Sequence, residues 1–165
     1  MTDVILDTDI LSTFSRVNRL NLIRSLFSKS EFYISTRNKA ELLEAKRLGY
    51  KFIERALKFN LTTLIPNENE KAEFQRLKEE KKSLGLADVE SLILAKYRNL
   101  VLLTNDTNVQ KKAIKLGVSY FNLPMILREL WKQDILTKED TNKLISKIEK
   151  EDNIIIVDKD VIFIE

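Results

Sequence analysis

The amino-acid sequence predicts an α/β fold whose central sheet is parallel and covered by helices on both faces. Short apolar runs rich in β-branched residues alternate along the chain with longer segments in which apolar residues have helical spacing. Strands that alternate with helices of this length are typical of βαβ units. The length of 165 residues fits one domain with a sizeable core, and only 3 Gly and 2 Pro argue against a disordered or loop-rich chain.

Five apolar runs predict strands, and six segments beside them predict helices. The strands are VILD (4–7), FYIS (32–35), LTTLI (61–65), LVLLT (100–104) and VSYF (118–121). The helices are 14–27, 39–48, 52–59, 68–82, 86–98 and 109–116. Two capping signals support these bounds, because Asn67 is followed three residues later by Glu70 and Gly117 directly follows the last of these helices.

The alternation ends near Pro124. MILRELW predicts a short helix, Thr137 followed by Asp140 is a capping signal for a helix over 138–150, and the runs IIIV and VIFI predict a β-hairpin. A lone hairpin is marginal in water, so these apolar runs need a surface to cover. We therefore expect residues 1–123 to form the main domain, and residues 124–165 an extension that packs on it or at the interface of a homodimer.

The composition limits the chemistry that the chain can perform. The sequence contains Cys 0 and His 0, which excludes disulfides, thiolate or imidazole zinc sites, and catalytic triads with histidine. The chemistry of an enzyme with this composition has to come from carboxylates, Lys, Tyr, Ser or Thr. Carboxylates are hard oxygen ligands that suit Mg²⁺ and Mn²⁺. The net charge of +3 permits a polyanionic partner. Because no apolar run approaches the length of a membrane span and no basic leader is visible, we expect a soluble, cytoplasmic protein.

Acidic residues follow the predicted strands, where ligands bind in an open parallel sheet. Asp7 and Asp9 end or follow the first strand, Asp106 follows LVLLT, Glu41 lies six residues beyond FYIS, and Asp88 opens a strongly apolar helix. Each acid alone also has a purely structural interpretation, as a helix cap, a dipole partner or half of an ion pair with a neighbour. Several carboxylates that converge beside a buried sheet, however, need a cation.

Four segments together resemble the PIN domains, a family that includes the toxin nucleases of toxin–antitoxin pairs. ILDTDIL carries Asp7, STRNKAELL carries Glu41, LGLADVESLILAK carries Asp88, and LVLLTNDTNVQKKAIKLGV carries Asp106 with Thr104 before it. The resemblance covers about residues 3–122. Asp9 stands where Asn or Ser is more usual, and the tail is longer than in compact toxins.

The resemblance implies a three-layer, flavodoxin-like sandwich with an acidic pocket that binds Mg²⁺ or Mn²⁺ and cleaves RNA, with an antitoxin as possible protein partner. It implies a catalytic set and a metal-binding subset, with further supporting residues. The catalytic set is Asp7, Glu41, Asp88 and Asp106; the metal ligands are Asp7, Asp88 and Asp106; the supporting residues are Asp9, Glu90, Thr104 and Asn105. We expect the four catalytic acids to meet in one pocket, with Glu90 near its rim and Glu44 solvated.

Two other functions fit parts of the sequence. ILDTDIL also resembles the start of a haloacid-dehalogenase-like phosphatase, in which Asp7 would be the nucleophile and Asp9 the general acid. Leu11 departs from that pattern, which has Thr or Val there. The other alternative is a PIN-like module that binds RNA or a protein without cutting.

Overall fold

The computed structural model describes residues 2–80 and 83–165 and has a five-stranded parallel sheet at its centre. The sheet has the order β3-β2-β1-β4-β5, and each neighbouring pair is parallel. Its strands are β1 (Val4–Leu6), β2 (Phe32–Ser35), β3 (Thr62–Leu64), β4 (Val101–Leu103) and β5 (Tyr120–Phe121). The sequence-based prediction of the fold and of all five strands is confirmed.

The helices lie between the strands and after the last one. They are α1 (Thr8–Arg16), α2 (Leu20–Leu26), α3 (Thr36–Arg47), α4 (Ile53–Lys58), α5 (Glu68–Glu80), α6 (Leu86–Arg98), α7 (Thr107–Leu116), α8 (Leu123–Lys132), α9 (Lys138–Asp152) and α10 (Lys159–Ile162). The α6 bounds agree with the prediction. Residues 81 and 82, which end the predicted helix 68–82, lie outside the described residues.

The predicted helix over residues 14–27 is wrong in its bounds. The chain instead forms α1, which already begins at Thr8, and α2, with Asn18 at a φ of 55° between them. Asn tolerates this left-handed conformation better than most residues, so it can end one helix and redirect the chain. The apolar spacing runs through the break because Phe14 and Ile23 pack into the same core.

Apolar side chains cover both faces of the sheet. Leu6 and Ile34 point into one core together with Phe14, whereas Ile5 and Leu102 point into a second core on the opposite face. The side chains of successive strand residues therefore point to opposite faces of the sheet, as the pleat of a strand requires. This arrangement places helices on both sides and leaves the carboxyl edge of the sheet open for a site.

Capping interactions fix several helix ends as the sequence predicted. The Asn67 side chain accepts from the backbone N–H of Glu70 at 2.9 Å, and Glu70 Oε2 accepts from the backbone N–H of Asn67 at 2.8 Å. Gly117 adopts a φ of 71° at the end of α7. The hydroxyl oxygen of Thr137 accepts from the Asp140 N–H at 3.0 Å and starts α9. These interactions are local, which is why the sequence revealed them.

The predicted C-terminal hairpin is wrong. Residues 154–158 form neither strand nor helix, and the chain ends in the short helix α10. Side chains satisfy backbone groups here instead of a β-ladder: Glu149 Oε2 accepts from the Ile156 N–H at 3.1 Å, and Arg128 Nη1 donates to the Val161 carbonyl at 2.7 Å. Ile156 and Ile162 are buried in the core that also holds Leu6, so the tail packs on the domain.

Across the ranges 2–80 and 83–165, helices with both the length and the apolarity for crossing a membrane are absent.

Candidate active site

Asp7 lies at the centre of a group of acids at the carboxyl edge of the sheet. It follows β1 directly and caps α1, because its Oδ1 accepts from the Thr8 backbone N–H at 3.0 Å. The hydroxyl group of Thr104, the residue after β4, donates to Asp7 Oδ2 at 2.9 Å. Strands β1 and β4 are parallel neighbours, so the residues that follow them meet at one edge. Asp7 is only 4% exposed.

Two more acids lie at this edge of the sheet, Asp9 in α1 and Asp106 in the loop between β4 and α7. Asp9 Oδ2 accepts from the backbone N–H of Asn105 at 2.9 Å, which ties this loop to α1. Asp106 caps α7, with its Oδ1 accepting from the backbone N–H groups of Asn108 at 2.8 Å and Val109 at 3.1 Å. The Asp106 N–H in turn donates to the Thr104 hydroxyl oxygen at 3.3 Å. Thr104 thus connects Asp7 and Asp106.

Asp88 approaches from the first turn of α6. Its Oδ2 accepts from the backbone N–H of Gly85 at 3.2 Å. Its carboxyl group lies close enough to Asp7 for the charge of Asp7 to raise its pKa, after the larger effect of burial. The N-terminus of α6 and the carboxyl end of β1 therefore meet through two acidic side chains.

Three of these carboxyl groups have a raised pKa. Burial, followed by the charge of Asp9, raises the pKa of Asp7 to about 6. Burial, followed by the charges of Asp88 and Asp106, raises the pKa of Asp9 to about 6 against two lowering backbone hydrogen bonds. Burial and the charge of Asp7 raise the pKa of Asp88 to about 7. The four aspartates therefore share one electrostatic environment with excess negative charge.

Glu41 reaches this group through Thr8. The Thr8 hydroxyl lies 2.7 Å from Glu41 Oε2 and 2.8 Å from Asn38 Oδ1, and its single proton can serve one of them at a time. The buried Asn38 also donates through Nδ2 to the hydroxyl of Ser91 at 2.8 Å. These contacts connect α1, α3 and α6 behind the acids.

Thr8, Asn38 and Ser91 were not among the site residues predicted from the sequence. A signal was present, because Asn38 lies three residues before Glu41 and therefore on the same face of α3. A small amide at an inward position of a helix needs a polar partner. Within the segment STRNK, Ser35 and Asn38 are buried, and the Ser35 hydroxyl oxygen accepts from the Asn38 N–H at 3.0 Å.

Glu90 and Glu44 bond to side chains of α3. Glu90 is buried and accepts from the Thr36 hydroxyl at 2.6 Å and from Arg37 Nε at 3.2 Å, so it fastens α3 to α6. Arg37 thus pairs with Glu90 rather than with Glu41. Glu44 is exposed and bonded to Arg47, as predicted for a solvated residue.

The acids combine structural roles with the chemistry of a cation site. In residues 2–80 and 83–165, Lys and Arg form no ion pair with Asp7, Asp9, Asp88 or Asp106, although Glu90 and Glu70 both have arginine partners. Hard carboxylate oxygens with excess negative charge fit Mg²⁺ or Mn²⁺.

Backbone N–H groups orient the carboxylates of the four aspartates. Within the described part of the chain, no group of three or more Asp or Glu side chains is positioned to hold a metal ion. Asp88 and Asp106 each use one carboxylate oxygen for helix-end N–H groups, which leaves the other oxygen for a ligand. The capping interpretation and the site interpretation of these acids are therefore compatible.

Comparison with known families identifies the class of protein. The PIN-domain family model (DUF3368) matches residues 3–161 of the chain. The chain therefore belongs to the PIN-domain family, and the resemblance seen in its acidic motifs is confirmed. The match extends into the tail that follows β5. No curated protein sequence matches the chain.

The solved structures that resemble this fold include two that illustrate the range of similarity. One is the crystal structure of VapBC2 from Rickettsia felis bound to a DNA fragment from their promoter, with a TM-score of 0.55, 17% identity, and coverage of 72% of this chain and 97% of that chain. The other is PAE2754 from Pyrobaculum aerophilum, with a TM-score of 0.47, 15% identity, and coverage of 70% and 97%. The similarity to the first supports the PIN fold.

Proposed function

We propose that the chain is a metal-dependent endoribonuclease that hydrolyses phosphodiester bonds of RNA. The observation that carries the proposal is the group of four aspartates at the carboxyl edge of the sheet, none of which forms an ion pair with Lys or Arg among the described residues. Like charges held together there lower the stability of the fold, and a bound divalent cation would relieve this repulsion. PIN domains are generally nucleases, which fits this arrangement.

The roles follow from the contacts of each side chain. A divalent ion held by Asp7, Asp88 and Asp106 would activate water and offset the charge that grows on the scissile phosphate. Thr104 fixes the orientation of Asp7 and the start of the Asp106 loop. Glu41 presents a fourth carboxylate at the exposed rim, with Oε2 placed by Thr8.

Asp9 has a different role from the other aspartates. Both of its oxygens accept backbone N–H groups, from Ile10 at 2.6 Å and from Asn105 at 2.9 Å. Its position is therefore suited to hold the β4–α7 loop against α1. We assign it as a positioning residue, which argues against the general-acid role that a phosphatase would require.

We further propose that an antitoxin protein is the partner of this chain. The support is the fold, which is similar to that of VapBC2, whose crystal structure contains promoter DNA. An antitoxin encoded beside the chain would restrain its activity, so co-expression and co-purification of the two proteins would test this part of the proposal.

The test is cleavage of a labelled single-stranded RNA by the full chain with Mn²⁺ and with a chelator. We expect cleavage only with the metal, and none from Asp88→Asn. The matched control is Glu44→Gln, which removes an exposed acid outside the group. RNA binding without cleavage under all metal conditions would instead identify a non-catalytic PIN-like module.

A further inference from the structure

A cavity beside the acidic group has no role in the chemistry described above. It has a volume of about 400 Å³ and lies between the β4–α7 loop, the start of α8 and the C-terminal segment. Pockets of this size are in the range that binds small ligands. Asn105 lines the cavity, and its backbone N–H donates to Asp9. Asn105 therefore connects the wall of the cavity to the acidic group.

One wall of the cavity is apolar although it faces solvent. Ile155 and Val157, in the segment between α9 and α10, are 81% and 68% exposed, and Val161 and Met125 extend the lining. The neighbouring Ile156 and Ile162 are buried in the core, so this segment is held in place while its other side chains stay uncovered. Such a wall fits the flat face of a ligand.

Several polar side chains of the cavity can offer donors to a ligand. Asn105 Oδ1 accepts from the Leu123 N–H at 3.2 Å, and Gln110 Oε1 accepts from Asn122 Nδ2 at 3.1 Å, so the amide NH₂ groups are what these residues offer a ligand. Arg128 uses Nη1 for the Val161 carbonyl and has further N–H groups. Asp158 adds one acceptor to the lining.

We propose that this cavity binds a nucleobase of the RNA strand, with a ring carbonyl such as that of uracil facing the amide and guanidinium donors. The inference rests on the proposed function, because the base belongs to the strand whose phosphate lies at the aspartates. A flat ring with apolar faces and carbonyl oxygens at its edge matches both the wall and the donors. A free phosphate would leave the apolar wall without a partner.

The test is binding of uridine RNA of about eight nucleotides, a length within the site sizes of single-strand binders. Fluorescence anisotropy is measured with the full-length Asp7→Asn protein, so that cleavage does not interfere. Abasic residues replace each uridine in turn. We expect one position at which loss of the base weakens binding about tenfold, since a stacked base contributes on this scale.

Two isoleucine variants locate the effect. Ile155→Ser is expected to weaken binding of the intact RNA and to remove the sensitivity to the abasic residue. Ile114→Ser changes an isoleucine that is 66% exposed on α7 and is not among the residues lining the cavity. This variant should therefore bind the intact RNA as the parent does and remain sensitive to the abasic residue. The melting temperature of each variant shows whether the fold is retained.

The outcomes separate this inference from the proposed nuclease activity. An RNA that is cut with metal but is insensitive to abasic residues at every position overturns the base site and leaves the nuclease proposal standing. If an abasic residue weakens binding and Ile155→Ser removes this effect, but the protein never cuts RNA, the base site is supported and the nuclease proposal is rejected. A change of oligomeric state by Ile155→Ser without any abasic effect would show that a second copy covers the cavity and overturns the inference.

Discussion

Asp88, in the first turn of α6, and Asp7, which follows β1, share one electrostatic environment although they belong to different elements. Burial and the charge of Asp7 raise the pKa of Asp88 to about 7, and burial and the charge of Asp9 raise the pKa of Asp7 to about 6. A proton and a divalent cation are alternative ways to relieve the same repulsion. The pair therefore links stability, pH and metal binding.

Substitution of single aspartates should separate ligands from positioning residues. We expect Asp88→Asn and Asp106→Asn to lose metal-dependent RNA cleavage, because each removes a charged oxygen donor. Asp9→Asn should keep cleavage within about tenfold of the parent, because the amide oxygen can still accept a backbone N–H. The assay uses labelled RNA with Mn²⁺ and with chelator.

The same variants test the phosphatase alternative through hydrolysis of a small phosphate monoester. General acid catalysis contributes about 10²- to 10⁴-fold, so a phosphatase would lose nearly all turnover in Asp9→Asn. If the parent hydrolyses the monoester but does not cut RNA, and Asp9→Asn abolishes this hydrolysis, the protein is a phosphatase and not a nuclease.

The stability of the protein should depend on pH through Asp88. Its pKa rises from 3.8 to about 7 on folding, so between these values the folded state holds a proton that the unfolded state has released. The contribution of Asp88 to the free energy of unfolding therefore falls as the pH rises between these two values. Asp88→Asn should be more stable than the parent at pH 8, and the difference should shrink towards pH 5, as measured by urea unfolding without metal. A difference that is constant with pH would contradict the raised pKa of Asp88.

Gly85 should be needed for the position of Asp88. A Cβ atom at residue 85 would lie 3.0 Å from Asp88 Oδ2, and the φ of −64° is one that alanine adopts without strain. We expect Gly85→Ala to reduce cleavage at least tenfold, about 1.4 kcal/mol of barrier, while the free energy of unfolding falls by only about 1 kcal/mol.

Gly49→Ala provides the opposite control. Gly49 has a φ of 94° and open space around its Cα, so an alanine there strains the backbone far from the aspartates. This variant should lose stability and keep its activity when folded. Equal activity of Gly85→Ala and the parent would show that Asp88 adapts to the added methyl group.

The sequence predicted those features that local interactions determine. Strand β2 and helix α6 have their predicted bounds because apolar runs and helix ends are encoded within a few residues. Asp7 and Asp106 were found because an acid after a parallel strand must lie at the carboxyl edge of the sheet. Both residues bond to the Thr104 hydroxyl group, which is possible because β1 and β4 are neighbouring strands.

The sequence did not predict features that depend on contacts between distant residues. The bond from Thr8 to Glu41 joins residues 33 positions apart, and no periodic pattern identifies it. The tail was interpreted as a hairpin because IIIV and VIFI have strand composition, but Glu149 and Arg128 bind its backbone and Ile162 enters the core. Tertiary contacts therefore decided its conformation against its propensity.

The last prediction concerns the contribution of this tail to stability. Ile162 is 1% exposed, whereas Ile164, two residues later, is 54% exposed. Ile162→Ala leaves a cavity in the core and should lower the free energy of unfolding by about 2–4 kcal/mol. Ile164→Ala should change it by less than about 0.5 kcal/mol. Urea unfolding measures both changes. A chain truncated after Lys150 should aggregate or change its oligomeric state, because Ile148 and the rest of this core lose the side chains that cover them, and light scattering measures this. If the truncated chain stays monomeric and Ile162→Ala unfolds at the same urea concentration as the parent, the tail does not stabilise the domain.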